Sequence, residues 1–233
     1  MKPASRSRTA RIIFVTGTDT GAGKTLLAGL LLQHLRQSGI HALAMKPFCS
    51  GGTADVRLLS AIQDHELSER EINPFYFPEP VAPLVSARKH GREIRLKDAV
   101  GAIQTVAKRC DYLVVEGSGG LRVPLGEGFD VADLIQHVYC EAVVVAKNRL
   151  GVINHTRMTV DGLWQSGVKK VKIVLMGTEK KDASMGTNEE ILSEFFGKKN
   201  VFLLGYLGKN ASRRQVVLDT QKKLKKTLAR IVG

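Results

Sequence analysis

With 233 residues and 43% hydrophobic content, the chain can build one well-packed domain and is too short to make two independent ones. No apolar run nears the ~20 residues of a membrane span, and the three cysteines, Cys49, Cys110 and Cys140, are odd in number and lack metal-type spacing, which argues for a reducing, cytoplasmic setting. The net charge of +13 sits at the two ends: residues 1–11 hold four basic side chains and no acidic one, and residues 198–233 hold ten against the single Asp219. A solvated basic helix face is the simpler reading of such an end, and nucleic-acid contact the less favoured one.

Lys2, Arg6, Arg8 and Arg11 precede an apolar stretch of only Ile12 to Val15, too short for a signal peptide and read as a core strand behind a flexible basic start. Directly after it come Gly17-Thr18-Asp19-Thr20-Gly21-Ala22-Gly23-Lys24-Thr25, then Leu26, Leu27, Leu30, Leu31 and Leu35 at helical spacing. Strand, glycine loop, Gly-Lys-Thr and helix make the context of a P-loop, here a variant with five residues between Gly17 and Gly23 where four are usual. Glycines let backbone N–H groups converge on phosphate oxygens, and the helix N-terminus adds its positive end. Thr18, Asp19, Thr20, Gly21, Ala22 and Gly23 are therefore assigned to nucleotide phosphates, with Lys24 on the β- and γ-phosphates and the Thr25 hydroxyl on Mg²⁺.

A second strand, Ala42 to Met45, ends in Lys46-Pro47-Phe48-Cys49-Ser50-Gly51, and Asp55 then opens a helix over about residues 55–63. In an open α/β sheet ligands bind beyond the carboxyl ends of the strands, where Lys46 falls. Residues 73–83, with prolines at 74, 78, 80 and 83, cannot form a regular helix and read as a long loop. After a helix over about 95–108, the strand Tyr112 to Val115 runs into Glu116-Gly117-Ser118-Gly119-Gly120. A carboxylate ending a buried strand is costly unless a metal or cation meets it, so Glu116 is a candidate Mg²⁺ ligand, and Gly119 keeps the backbone close to ligand. The remaining strands are Ala142–Val145, Val171–Leu175 and Val201–Leu204, with helices over about 153–165, 187–196 and 211–231. The alternation predicts a single-domain α/β fold of the P-loop NTPase type, a mostly parallel sheet flanked by helices.

Taken together these segments resemble the dethiobiotin synthetase family, which shows Gly-Thr-Asp-Thr-x-x-Gly-Lys-Thr (here 17–25), Lys-Pro-x-x-Ser-Gly (46–51), Val-Glu-Gly-x-Gly-Gly (115–120), Pro-Leu (124–125) and Leu-Gly-x-Ile-Asn-His-Thr (150–156). The resemblance implies ring closure of 7,8-diaminononanoate with CO₂ and ATP to dethiobiotin, ADP and phosphate, through a carbamate and a carbamic-phosphoric anhydride. Lys46 and Lys24 would stabilise the migrating phosphoryl group, Thr25, Asp55 and Glu116 would hold Mg²⁺, and Thr20 and Ser50 would hydrogen-bond carbamate or phosphate. It further implies a homodimer in which Leu150, Gly151 and Asn154 hold the substrate carboxylate across the interface. His155, in the first turn of a helix, is read as a packing or capping residue, and Cys49 as a small loop residue with nothing to make it a nucleophile.

The sequence departs from the family pattern at Leu84, where Pro-x-x-Pro is usually followed by histidine, and around the base. Met176-Gly177 stand where an asparagine commonly reads adenine, and Leu207-Gly208 where Ile-Pro is usual, so base contacts are assigned only loosely to Met176, Gly177, Leu207 and Gly208. A rival reading, a partitioning or positioning ATPase switch, shares the variant loop but normally begins it Lys-Gly-Gly, where this chain has Thr16-Gly17-Thr18.

Overall fold

Strands apolar on both faces must be covered on both, and the burial of every residue from Ile12 to Gly17 and from Ala42 to Met45 shows that these are. The computed structural model describes residues 10–233, so Lys2, Arg6, Arg8 and the flexible start expected of them lie outside the described residues. In chain order the elements are β1 (Arg11–Gly17), α1 (Lys24–Gln37), β2 (Ala42–Met45), β3 (Phe48–Ser50), α2 (Ala54–Ile62), α3 (Glu69–Ile72), β4 (Phe75–Phe77), α4 (Pro83–Lys89), α5 (Leu96–Ala107), β5 (Tyr112–Glu116), β6 (Pro124–Gly126), β7 (Phe129–Asp130), α6 (Val131–Val138), β8 (Glu141–Lys147), α7 (Val152–Gln165), β9 (Val171–Met176), α8 (Asn188–Phe196), β10 (Val201–Leu204) and α9 (Arg214–Val232).

The six strands read from the sequence form one parallel sheet in the order β10-β9-β8-β1-β5-β2. β1 lies between β5 and β8, with Val15 opposite Glu116 on one side and Gly17 opposite Val145 on the other. Because all six run the same way, the segments that follow β1, β2, β5, β8 and β9 leave the sheet at one end. α1 packs with α2 and α9, α5 with α6, and α7 with α8. Among the described residues no helix is long and apolar enough to cross a membrane.

The expectation of an unbroken loop over 73–83 is corrected. Phe75–Phe77 forms β4, which pairs in parallel with β3 outside the main sheet, with the Phe48 and Phe75 rings stacked at 4.7 Å. Prolines at 74 and 78 bracket this strand without entering it, and Pro83 takes the first turn of α4, where its missing N–H has no bond to lose. Two further helices carried a signal that periodicity alone passes over: reciprocal capping boxes, Ser68 with Glu71 at α3 and Asp130 with Asp133 at α6.

β2 is an edge strand, and its outer backbone groups would be stranded in the core without a partner. Gln63, fully buried just past α2, meets them: its Oε1 accepts from the Ala44 N–H at 2.9 Å and its Nε2 donates to the Ala44 carbonyl at 3.3 Å. Asn73 Nδ2 continues this cover by donating to the carbonyls of Lys46 and Pro47. Gln63→Leu, similar in volume but unable to pair, is expected to lower stability by about 1–3 kcal/mol. Urea unfolding reads this as a lower midpoint at unchanged slope.

Candidate functional site

The loop after β1 leaves the sheet through Gly17, and the Thr18 N–H donates to the Val145 carbonyl of β8 at 3.0 Å. Gly23, at φ 106°, is the N-cap of α1 with no side chain to occupy its first N–H groups. Those donors face a cleft of about 1190 Å³ at the carboxyl ends of the strands. Thr20, Gly21, Ala22, Gly23, Lys24 and Thr25 line it. Thr18 and Asp19 instead border a small neighbouring hollow together with His155.

Three strand ends meet at this mouth because β1, β5 and β2 are neighbours in the sheet. Glu116, the last residue of β5, is 1% exposed, and its Oε1 accepts from Thr25 Oγ1 at 2.6 Å and from Lys46 Nζ at 2.6 Å. The same ammonium donates to Asp55 Oδ2, in the first turn of α2. Burial pulls the Lys46 ammonium down, but Glu116 and Asp55 outweigh it and hold it above the ordinary lysine range, so the side chain stays charged. Burial pushes the Glu116 carboxyl up, and the Lys46 charge pulls it back. Lys24 donates to the Asp19 carbonyl at 2.9 Å, and burial draws its ammonium down to about 8 against the attraction of Glu116.

Two polar atoms at the mouth are buried without a partner: Glu116 Oε2 and Ser50 Oγ. An orphaned carboxylate oxygen and an orphaned hydroxyl beside a phosphate-type loop are groups that a ligand would satisfy. Ser118, by contrast, is committed to the fold, its Oγ donating to the Phe48 carbonyl at 2.6 Å. Lys46, Ser50, Asp55, Glu116 and Gly119 thus all line the cleft, as do Met176, Gly177, Leu207 and Gly208.

Leu150, Gly151 and Asn154 do not line it. They open α7, with Gly151 as its N-cap at φ 89°, and Leu150 is 81% exposed. The Leu150 N–H, one of the donors expected for a substrate carboxylate, is taken by Asp182 Oδ2 at 3.1 Å. Residues that the sequence reading did not single out also border the cleft, among them Lys147, Arg149, Lys180 and Tyr206. Lys147 ends β8 as Lys46 follows β2, so its position at a carboxyl strand end was a usable signal.

On the far wall the backbone itself closes the cleft. Gly177 N–H donates to the Leu204 carbonyl at 2.7 Å, and a Cβ at Gly177 would lie 2.5 Å from the Tyr206 nitrogen, so no larger residue fits there. Gly208 sits at φ 92°, a conformation closed to proline, whose ring fixes φ near −65°. At both positions the backbone path of this chain, and not a side chain, is what requires glycine.

A family profile described as an AAA domain matches residues 11–213. The chain is 39% identical over 211 residues to the ATP-dependent dethiobiotin synthetase of Bacillus licheniformis, covering 87% of this chain and 88% of that one. It is 37% identical to the Methanococcus vannielii enzyme of the same name over 164 residues, or 70% and 78% of the two chains. Among solved structures it is similar to the cell division protein MinD of Aquifex aeolicus (TM-score 0.57, 13% identity, 93% and 98% of the two chains covered). It is also similar to the pNOB8 ParA protein (TM-score 0.60, 12% identity, 96% and 98% covered). At such identities these two likenesses concern the fold alone.

This wall carries neither a side-chain amide at 176–177 nor a proline-fixed loop at 208. Dissociation constants for ATP, CTP, GTP and UTP, measured by calorimetry with Mg²⁺, are expected to span less than about 10³-fold. A larger preference for ATP would show that this wall reads the adenine edge well without the amide.

Proposed function

The chain belongs to the ATP-dependent dethiobiotin synthetase family, and on that premise we propose that it closes the cyclic urea of dethiobiotin from 7,8-diaminononanoate, CO₂ and ATP. It is an ATP-using ligase on a P-loop fold. The observation that carries the finer reading is the buried Lys46 ammonium, held between Asp55 and Glu116 at the mouth of the phosphate loop.

One amine of the substrate adds to CO₂ and loses a proton, giving a carbamate. A carbamate oxygen attacks the γ-phosphorus, the bond to the bridging oxygen breaks, and ADP leaves. The second amine then attacks the carbonyl carbon of the anhydride, and phosphate departs as the ring closes. Negative charge moves from the carbamate oxygen to the bridging oxygen as ADP leaves, and then onto phosphate as the ring closes, so fixed cations at the transfer point lower the barrier. Lys46 is such a cation, already desolvated and oriented, and Lys24 shares the load from the loop. Ser50 Oγ, unpartnered, is available to hydrogen-bond the carbamate or phosphate, and Thr20 lies on the same wall.

The donor set at this mouth fits Mg²⁺. Among the described residues no group of three or more His, Cys, Asp or Glu converges, but Mg²⁺ in phosphate chemistry takes one or two carboxylates, a hydroxyl, substrate phosphates and water. Glu116 with its free Oε2, Asp55 and the Thr25 hydroxyl supply that set of hard oxygens. The ion would neutralise charge on the β- and γ-phosphates.

The substrate carboxylate is assigned to Gly151 and Asn154 of a second copy, with Leu150 beside them. Their place outside the cleft supports this, as do the neighbouring exposed apolar side chains Leu150 and Met158, which a homodimer interface would cover.

Nucleotide hydrolysis is expected to require both diaminononanoate and bicarbonate, because the phosphoryl acceptor is the carbamate. A phosphate-release assay omitting each in turn checks this, and release that ignores the diamine would count against the synthetase reading. Lys46→Ala is expected to lower kcat about 10²–10³-fold with the fold intact. Glu116→Ala should weaken Mg²⁺ dependence and nucleotide affinity together. Kinetics near those of the unmodified protein in either variant would remove that residue from the site.

A further inference from the structure

The two cleft lysines given roles so far are both engaged. Lys24 donates to the Asp19 carbonyl, and Lys46 is shared between Asp55 and Glu116. Lys147 differs. It is the last residue of β8, half-buried, and among the described residues its ammonium has no hydrogen-bond or ion-pair partner. Arg149, Lys180 and Lys181 also line the cleft, but they are exposed and keep their water.

The phosphate loop fixes where Lys147 points. β8 lies directly beside β1, and the Thr18 N–H bonds to the Val145 carbonyl, so the end of β8 runs alongside the start of the loop. The Lys147 ammonium reaches the loop at Gly21: a Cβ built on that residue would lie 3.6 Å from Nζ. Lys147 borders both the main cleft and the small hollow behind the loop at Thr18 and Asp19. An unpaired ammonium held against a loop whose N–H groups converge on anions is placed to meet the same anion.

We infer that Lys147 is a further phosphate-binding residue, contacting the polyphosphate tail of the nucleotide from the β8 wall. This rests on the ATP-using reading of the cleft but not on the identity of the phosphoryl acceptor. A charge-assisted contact of this kind is of a size to change affinity by about 10–100-fold. Because the tail is common to all nucleotides, the effect is independent of the base.

The test is calorimetric binding of Mg²⁺-ATP and Mg²⁺-CTP to the unmodified protein and to Lys147→Met and Lys147→Arg, with thermal unfolding of each. The expected result is that Lys147→Met weakens ATP and CTP by the same factor of about 10–100, Lys147→Arg recovers most of the affinity, and unfolding temperatures do not move. Binding by Lys147→Met within about threefold of the unmodified protein would overturn the inference. So would a loss confined to ATP, which marks a base contact, or an equal loss in both variants with lowered unfolding temperature, which marks a packing role. Unmodified protein that binds no nucleotide would defeat the ATP-using reading and this one together. Nucleotide binding without diamine-dependent turnover would defeat the synthetase reading and leave the role of Lys147 standing.

Discussion

The structure turns on one buried carboxylate. Glu116 is nearly sealed from water, and an ionised group there is tolerable only with cationic and hydrogen-bonding company. It finds that company on two other elements, Thr25 at the head of α1 and Lys46 just beyond β2, and Lys46 in turn draws in Asp55 from α2. These residues, spread from 25 to 116, meet because β5 is inserted between β1 and β2 in the sheet. The sheet order is thus the condition for the charge cluster, and the cluster is the condition for a pre-oriented ammonium at the phosphate loop.

The two walls of the cleft are held by constraints of different kinds. Around Glu116 the constraint is electrostatic: a buried carboxylate is met by the Lys46 ammonium and the Thr25 hydroxyl. Around Gly177 and Gly208 the requirement is steric: two backbone segments approach so closely that a Cβ is excluded at one position, and φ is positive at the other. Such a wall is built by peptide groups, which are less tied to residue identity than a side-chain amide is.

Likeness to proteins of different names fits this division. The fold is shared with MinD and ParA at 12–13% identity, which a common sheet architecture suffices to explain. Identity of 33–39% with dethiobiotin synthetases over most of the chain is of another order. The segments 46–51 and 115–120, which the sequence reading used to choose the family, are those that the structure brings together in the charge cluster.

Local and periodic features are written in the chain itself. The six strands of the sheet, the phosphate loop and the helix behind it were legible because apolar runs, glycine spacing and Gly-Lys-Thr act within a few residues. Strand ends point to Lys46 and Glu116, and a helix start to Asp55, for the same reason. The rest depends on contacts between distant segments. β3 and β4 are too short to show a period and exist through their pairing with each other, and Gln63 caps β2 through a contact that no spacing reveals. The isolation of Lys147 is likewise a fact about what does not surround it. The glycine at 208 looks in the sequence like a missing proline, whereas in the fold its positive φ is a conformation that proline cannot take, because dihedral angles are set by the path of the whole chain.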